Sequence, residues 1–254
     1  MTPVVRTLLI ANLGMFLLQL TLPPALVDTL VFVPRLIFVR PWSIVTYMFL
    51  HGGLMHIGFN MLGLFFFGSR VEARLGSQRF TILYFLSGIT GAIVSFFFSP
   101  YAPIIGASAG VFGVMLAFAR FWPNEPILIW GIIPVPARIL VIITTVFALW
   151  SGFGGVRSGI AHFAHLGGYL GAWLYLRWLE RARTAFKRKA SAATITATRR
   201  VEGYKAIDLT TVHEVNRAEV NRILDKISAQ GIGSLTPQER TFLSNFVPPD
   251  DRVH

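Results

Sequence analysis

The chain changes character near residue 180. Before it, apolar residues run in long blocks separated by short joints that carry Arg, Pro or Gly; after it, apolar positions thin out to a helical spacing among charges. A helix that crosses a bilayer needs about 20 mostly apolar residues, and fewer where the bilayer is thin. Six blocks fit, at roughly 5–26, 56–70, 79–98, 106–120, 135–151 and 160–179. The pattern predicts an all-α membrane protein of six transmembrane helices in residues 1–180. A basic and polar linker follows at 181–205, and a cytoplasmic helical-hairpin tail at 206–254.

Two joints are too long for simple turns. Residues 27–55 hold Pro34, Pro41 and Gly52-Gly53 among Trp42, Tyr47 and several Phe. Trp and Tyr favour the membrane–water boundary, so this stretch is expected to lie partly in the outer interface. Residues 121–137 (FWPNEPILIWGIIPVPA) are apolar but broken by four prolines. They are expected to form an interfacial hairpin on the cytoplasmic side. In the tail, Thr211 with Glu214 and Thr236 with Glu239 both fit the capping box, the second with Pro237 at the first helical position. Val215, Ile223, Leu224 and Ile227 follow the first, and Phe242, Leu243 and Phe246 the second, with Gly231 and Gly233 between.

Composition supports the membrane reading. Charged residues make up 14% of the chain, against about 25% in soluble domains, and the mean hydropathy is +0.60. The net charge of +11 suggests nucleic acid until its placement is read. Arg177, Arg181, Arg183, Lys187, Arg188 and Lys189 follow the last apolar block directly. That is where a cytoplasmic flank carries positive charge, against anionic lipid headgroups. Membrane lipids are therefore the expected partners and nucleic acid is not. With both termini in the cytoplasm, Arg6, Arg70, Arg74, Arg79, Arg120 and Arg138 fall inside, and Arg35, Arg40 and Arg157 outside. The first block has no small-residue cleavage site, so it reads as a retained span. The absence of cysteine excludes disulfides, thiolate catalysis and Cys-based zinc sites.

Polar side chains inside spans cost a few kcal/mol each and are functional candidates. The apolar region offers His51, His56, Asn60, Ser108, His162 and His165. Under the six-span topology all but His51 fall at similar depth on three helices, near the outer surface. His56 and Asn60, four residues apart, share one helix face. They fit a polar pair that holds helices together, and equally a pair of donors for a developing oxyanion. Ser108 lies in GASAG (106–110), which matches G-x-S-x-G. It is a nucleophile or a small residue in a tight turn. Gly106, Gly110 and Gly113 on that block, with Gly167, Gly168 and Gly171 on the last, would let two helices approach closely. A Ser hydroxyl needs that approach to reach an imidazole at about 2.6–3.2 Å. His162 and His165 have i,i+3 spacing, but no Asp, Glu or Cys lies at their depth, so no metal site and no cofactor are expected. The only acids between Met1 and Glu180 are Asp28, Glu72, Glu125 and Glu180 itself. Nucleophilic chemistry here would use a Ser-His dyad and not a triad.

Three stretches in order, HGGLMHIGFNM (51–61), GASAGVFG (106–113) and AHFAHLGG (161–168), with RPWSIVTYMF and VEARLG beside them, resemble the rhomboid family of intramembrane serine proteases over nearly all of residues 1–180. The resemblance implies a six-helix rhomboid bundle in a membrane, by its bacterial type an inner membrane. It implies Ser108 as nucleophile and His165 as general base. His56, Asn60 and the Ser108 backbone N–H would hold the oxyanion, and the substrates would be single-span membrane proteins cleaved near the outer face. His165 is preferred to His162 because the family's catalytic histidine is followed three residues later by Gly, as Gly168 follows His165. Arg40-Pro41-Trp42 departs from the Trp-Arg pair of many members, and ILDKISAQGIGSLTPQERTFL (223–243) is similar to a cytoplasmic extension of some bacterial rhomboids. A catalytically silent, client-binding relative is the alternative, and the presence of both Ser108 and His165 argues against it. A transporter would call for an acidic partner or a repeat at mid-membrane, which the sequence lacks.

Overall fold

The computed structural model describes residues 1–129, 131–154, 161–200 and 212–245, the side chains of 186–200 and 244 excepted. It contains two compact units, Met1–Arg181 and Ala182–His254.

The first unit is mostly helical. Helix α1 (Pro3–Gln19) starts on a proline whose fixed φ suits the first helical position. Its free N–H groups are met from a distant part of the chain. Val4 N–H donates to Glu72 Oε1 (3.0 Å) and Val5 N–H to Glu72 Oε2 (2.9 Å). A buried carboxylate at a helix N-terminus satisfies both the orphan donors and the helix dipole. Ser77 Oγ also donates to Glu72 Oε1, at 2.7 Å.

Residues 24–49 fold into short pieces: α2 (Pro24–Leu30), a 3-10 turn (Pro34–Leu36), α3 (Ser43–Thr46) and a second 3-10 turn (Tyr47–Phe49). Phe38 is 89% exposed and Trp42 50% exposed. The inner side of this stretch is tied to the segment before α7 (Ser108–Phe121). Phe32 and Ile104 exchange backbone hydrogen bonds (3.2 and 2.8 Å), and Gly106 N–H donates to Tyr47 O (2.9 Å).

Helix α4 (Leu54–Gly63) runs through a π-helical turn (Leu64–Gly68) into α5 (Ser69–Leu75). Together they form a 22-residue rod, and α6 (Ser77–Phe98), also 22 residues, follows after Gly76, whose φ of 82° only glycine adopts easily. Both rods are long and apolar enough to cross a membrane. Helices α1, α7 and α8 (Ala137–Phe153) are shorter and apolar, and α9 runs His162–Arg200. Helix thus fills most of each of the six apolar blocks, although α1 stops at Gln19, short of residue 26, and residues 135–136 are extended. At the centre stands α7, buried on nearly every side, while α8 buries only Ala137, Ala148 and Ser151.

The all-α expectation needs one correction. Between α7 and α8 the chain forms an antiparallel β-hairpin, β1 (Pro126–Ile129) and β2 (Ile133–Pro136), with Ile127 opposite Val135 and Leu128 opposite Pro134. Proline cannot continue a helix, and the Ile and Val between the prolines favour extended backbone. The turn uses Gly131 at φ 72°, and Ile132 N–H closes it on Ile129 O at 3.1 Å.

The second unit holds α10 (Glu214–Gln230), a 3-10 turn (Ile232–Ser234) and α11 (Pro237–Ser244) around Val212, Val220, Ile223, Leu235 and Leu243. The capping box at Thr236 and Glu239 forms on both sides (3.2 and 2.9 Å). The one expected at Thr211 does not start α10. That helix begins at Glu214 with His213 at its N-cap, and Thr211 lies outside the described residues, as does Phe246. Glu239 also takes Lys226 Nζ at 2.8 Å and Arg222 Nη2 at 2.9 Å. The Lys226 ammonium, then the Thr236 N–H and the Arg222 guanidinium, hold its carboxyl at about 2, well below the usual range.

Candidate active site

Ser108 is the first residue of α7, directly after Gly106 and Ala107. Gly106 has a φ of 116°, and a Cβ there would stand 2.6 Å from His56 Nε2. Glycine is therefore required twice, for the backbone angle and for the imidazole beside it. Its role is to make the turn into α7, and not to pack one helix on another.

Helix α9 brings His165 to this turn. Its Nε2 lies 2.8 Å from Ser108 Oγ, within hydrogen-bonding distance. Phe112, one helical turn beyond Ser108 on α7, stacks on the imidazole with centroids 4.1 Å apart and planes 19° apart. Serine and stacked ring thus come from one face of one helix. The close approach depends on Gly168, which abuts the carbonyl of Ala109. The other expected small-residue contacts turn elsewhere. A Cβ on Gly167 would stand 2.6 Å from Gly91 Cα, and one on Gly171 2.7 Å from Thr90 Oγ1, so this pair seats α9 on α6. Gly110 meets Tyr84 of α6 (2.7 Å for an added Cβ), whereas Gly113 faces both Ser87 of α6 and the Gly168 carbonyl (3.1 Å).

His56, near the start of α4, accepts a hydrogen bond from Gly52 N–H at Nδ1 (3.3 Å). In a neutral ring this leaves the proton on Nε2, the atom facing Gly106, so His56 offers a donor towards the turn before Ser108. Asn60 is buried one turn further on, its amide donating to His56 O at 2.9 Å. The second amide proton is the one it has for another acceptor. His51 is buried with its ring edge-on to His56, centroids 5.1 Å apart. Its backbone is clamped by Gln19, which donates to His51 O (2.8 Å) and accepts from His51 N–H (3.1 Å). His162 is buried one turn before His165, against Phe147.

Ser108, His165 and His56 therefore come together from α7, α9 and α4. Among the described residues no cluster of three metal-ligating side chains occurs. The three glutamates of the first unit are engaged elsewhere: Glu72 at α1, Glu125 with Arg70 (2.6 Å) and Glu180 with Arg120 (2.8 Å). The sequence reading missed Phe112 and Gln19. Four residues after Ser108, Phe112 had a signal in its helical spacing; Gln19, a polar residue closing an apolar block, had only a weak one.

A family model described as the Rhomboid domain matches residues 39–181, and a family of unknown function (DUF6576) matches residues 213–246. The chain is 35% identical over 158 residues to Rhomboid protease GluP of Bacillus subtilis, covering 61% of this chain and 30% of that protein. It is 34% identical over 134 residues to RHOMBOID-like protein 4 of Arabidopsis thaliana, covering 52% and 32%. Rhomboid protein 1, mitochondrial, of Saccharomyces cerevisiae is 34% identical over 148 residues, covering 55% and 42%. The chain spans less than half the length of each of these relatives.

Proposed function

This chain belongs to the rhomboid family, which is membrane-integral and includes proteases, and from that premise we propose that it is an intramembrane serine endopeptidase working through Ser108 and His165. The observation that carries the reading is the 2.8 Å contact between Ser108 Oγ and His165 Nε2, made across the glycine contact of α7 with α9. In the proposed reaction Ser108 Oγ attacks the scissile carbonyl as His165 Nε2 takes its proton. The imidazolium then gives that proton to the leaving amine, and water resolves the acyl-enzyme by the reverse sequence. The oxyanion would lie at the N-terminus of α7, where the first N–H groups have no intrahelical partner and the helix dipole is favourable. The Nε2–H of His56 supports it from the side, and Asn60 contributes its second amide proton. Packing against Phe112 orients His165, the role an acid plays in a triad.

The same reading takes the six apolar blocks as six spans with both termini in the cytoplasm. Residues 1–180 would be the protease and 206–254 a cytoplasmic tail. Substrates would be single-span proteins cleaved near the outer face, where a helix unwinds readily. An intact helix withholds its amides, which are already hydrogen-bonded within it. The test is labelling of the purified chain by a fluorophosphonate probe, with Ser108→Ala and His165→Ala as controls. Labelling of wild type alone supports the dyad. Equal labelling of Ser108→Ala sinks it, loss in His162→Ala but not His165→Ala reverses the choice of base, and an unlabelled wild type points to a client-binding protein.

A further inference from the structure

The β-hairpin between α7 and α8 has no part in the proposed chemistry, yet its composition is unusual for a joint. From Pro126 to Ala137 the sequence carries no charged residue. Its base is closed by Ala137 N–H on Glu125 O (2.9 Å) and Arg138 N–H on Pro123 O (3.1 Å). One side of the base, at Ile127, packs on the bundle core. The outer part does not: Leu128 is 58%, Ile132 79% and Ile133 56% exposed.

The backbone adds a second, independent observation. In a two-stranded hairpin alternate residues turn their N–H groups outward, away from the partner strand. Pro126, Pro134 and Pro136 have none, and the register puts Pro126 opposite Pro136 and Leu128 opposite Pro134. Proline cannot exchange a ladder bond, so these are the outward pairs, and Leu128 is the one residue in them that still has an N–H. Two donors of the turn are satisfied internally, Gly131 N–H by Leu128 O (3.2 Å) and Ile132 N–H by Ile129 O (3.1 Å). A segment bare of charge and nearly bare of outward donors is suited to a medium without water.

That medium is already at hand. Strand β2 runs directly into α8, whose Ile142, Ile143, Val146 and Phe147 are all more than half exposed. In a membrane-integral chain such a face meets lipid, and the hairpin surface continues it. The base of the hairpin stands beside the level of Arg70, whose guanidinium stacks over Trp122 (4.7 Å) and pairs with Glu125. Guanidinium over indole is an arrangement suited to the headgroup boundary.

We propose that the hairpin inserts its tip, with the exposed Ile132 and Ile133, among the acyl chains of the leaflet at which α7 ends and α8 begins. Its occupant is the lipid bilayer, and the insertion fixes the depth of the α7–α8 joint. The outward carbonyls of Pro126, Pro134 and Pro136 keep the base at headgroup level, so only the tip goes deeper. This holds whether or not the chain cleaves peptide bonds.

The chain has no cysteine, so single-cysteine spin labels can be placed without background. The full chain carrying Ile132→Cys is labelled, reconstituted into phosphatidylcholine–phosphatidylglycerol vesicles, and read for collisions with oxygen and with a water-soluble nickel chelate. Ile142→Cys on α8 is the lipid reference, and Ser228→Cys on α10 the water reference. The expected result is an oxygen-to-nickel ratio at residue 132 within about threefold of that at 142 and at least tenfold above that at 228. A ratio like that at 228 puts the hairpin in water and overturns the proposal. Shielding from both reagents means that protein covers the turn, and overturns it equally. Ile133→Cys repeats the reading at a second position, so the result does not rest on one label.

Discussion

Gly168→Ala separates a helix contact that the chemistry needs from ordinary packing. A Cβ at 168 would stand 2.9 Å from the carbonyl carbon of Ala109 and 3.1 Å from its Cα, and closer still to the carbonyl oxygen. These are backbone atoms, so no rotamer change relieves the clash. Relieving the carbonyl oxygen, the nearest atom, requires α9 to withdraw from α7 by roughly 1 Å. Ser108 precedes Ala109 directly and His165 lies one turn before Gly168, so the withdrawal opens the Ser108–His165 pair itself. From 2.8 Å it goes to about 3.8 Å, past a useful hydrogen bond. Misplacement on this scale costs about 100-fold in rate, or ~2.7 kcal/mol of barrier. The overpacking itself should lower stability by about 1–3 kcal/mol. The assay is the second-order rate of fluorophosphonate labelling in detergent, with the thermal midpoint measured on the same samples. Gly171→Ala is the comparison: its Cβ would press on the Thr90 side chain (2.7 Å) of α6, so stability falls while the labelling rate drops less than tenfold. Gly14→Ala, with nothing within 4 Å, should leave the rate unchanged. Gly168→Ala labelling within twofold of wild type would refute the reasoning, as would equal losses for Gly168→Ala and Gly171→Ala.

Other expected outcomes follow from single contacts. Phe112→Leu removes the ring stacked on His165, and a stack is worth about 0.5–1.5 kcal/mol, so the labelling rate should fall roughly 2- to 10-fold with the thermal midpoint nearly kept. Glu72→Gln replaces a carboxylate that takes two helix N–H groups and a serine hydroxyl; a charged hydrogen bond contributes about 1.5–3 kcal/mol, so unfolding stability should drop by about 2 kcal/mol or more while the rate per folded molecule stays the same. In the second unit the native pKa of Glu239 is depressed, so its stabilisation is full above the unfolded value of about 4 and is lost as pH falls towards 2. A cysteine at buried Ile223 of the full chain should react with 4,4′-dithiodipyridine at a pH-independent low fraction above pH 5 and increasingly below pH 4; adding Glu239→Gln should abolish that rise, and an unchanged profile contradicts the assignment.

The sequence by itself located the long helices of the first unit, though not α2 or α3. Long apolar blocks leave the chain few other ways to satisfy its backbone, and most of each block is helical. It also singled out His51, His56, Asn60, Ser108, His162 and His165, because polar groups stand out in an apolar context where they are costly, and the choice among them came from the resemblance. The start of α11 was legible too, since a capping box is a local arrangement of four residues. The start of α10 was not: Thr211 carried the same signal, but His213 took the cap.

What only the tertiary structure decided is which neighbour each residue meets. Spacing put Gly167, Gly168 and Gly171 together on one helix, but the rotation of α9 assigns Gly168 to α7 and the other two to α6. Gly106 looked like a packing glycine and is a left-handed turn beside His56, which depends on α4 standing next to it. Glu72 stood out only as one of few acids in the apolar region, and its partner is the start of a helix 67 residues earlier. The 121–137 joint was read as a hairpin by its prolines, yet strand pairing and register appear only when both arms are in place. The physical reason is common to all four. Periodicity and capping are short-range properties written into consecutive residues, whereas helix rotation and long-range hydrogen bonds arise from packing many side chains at once.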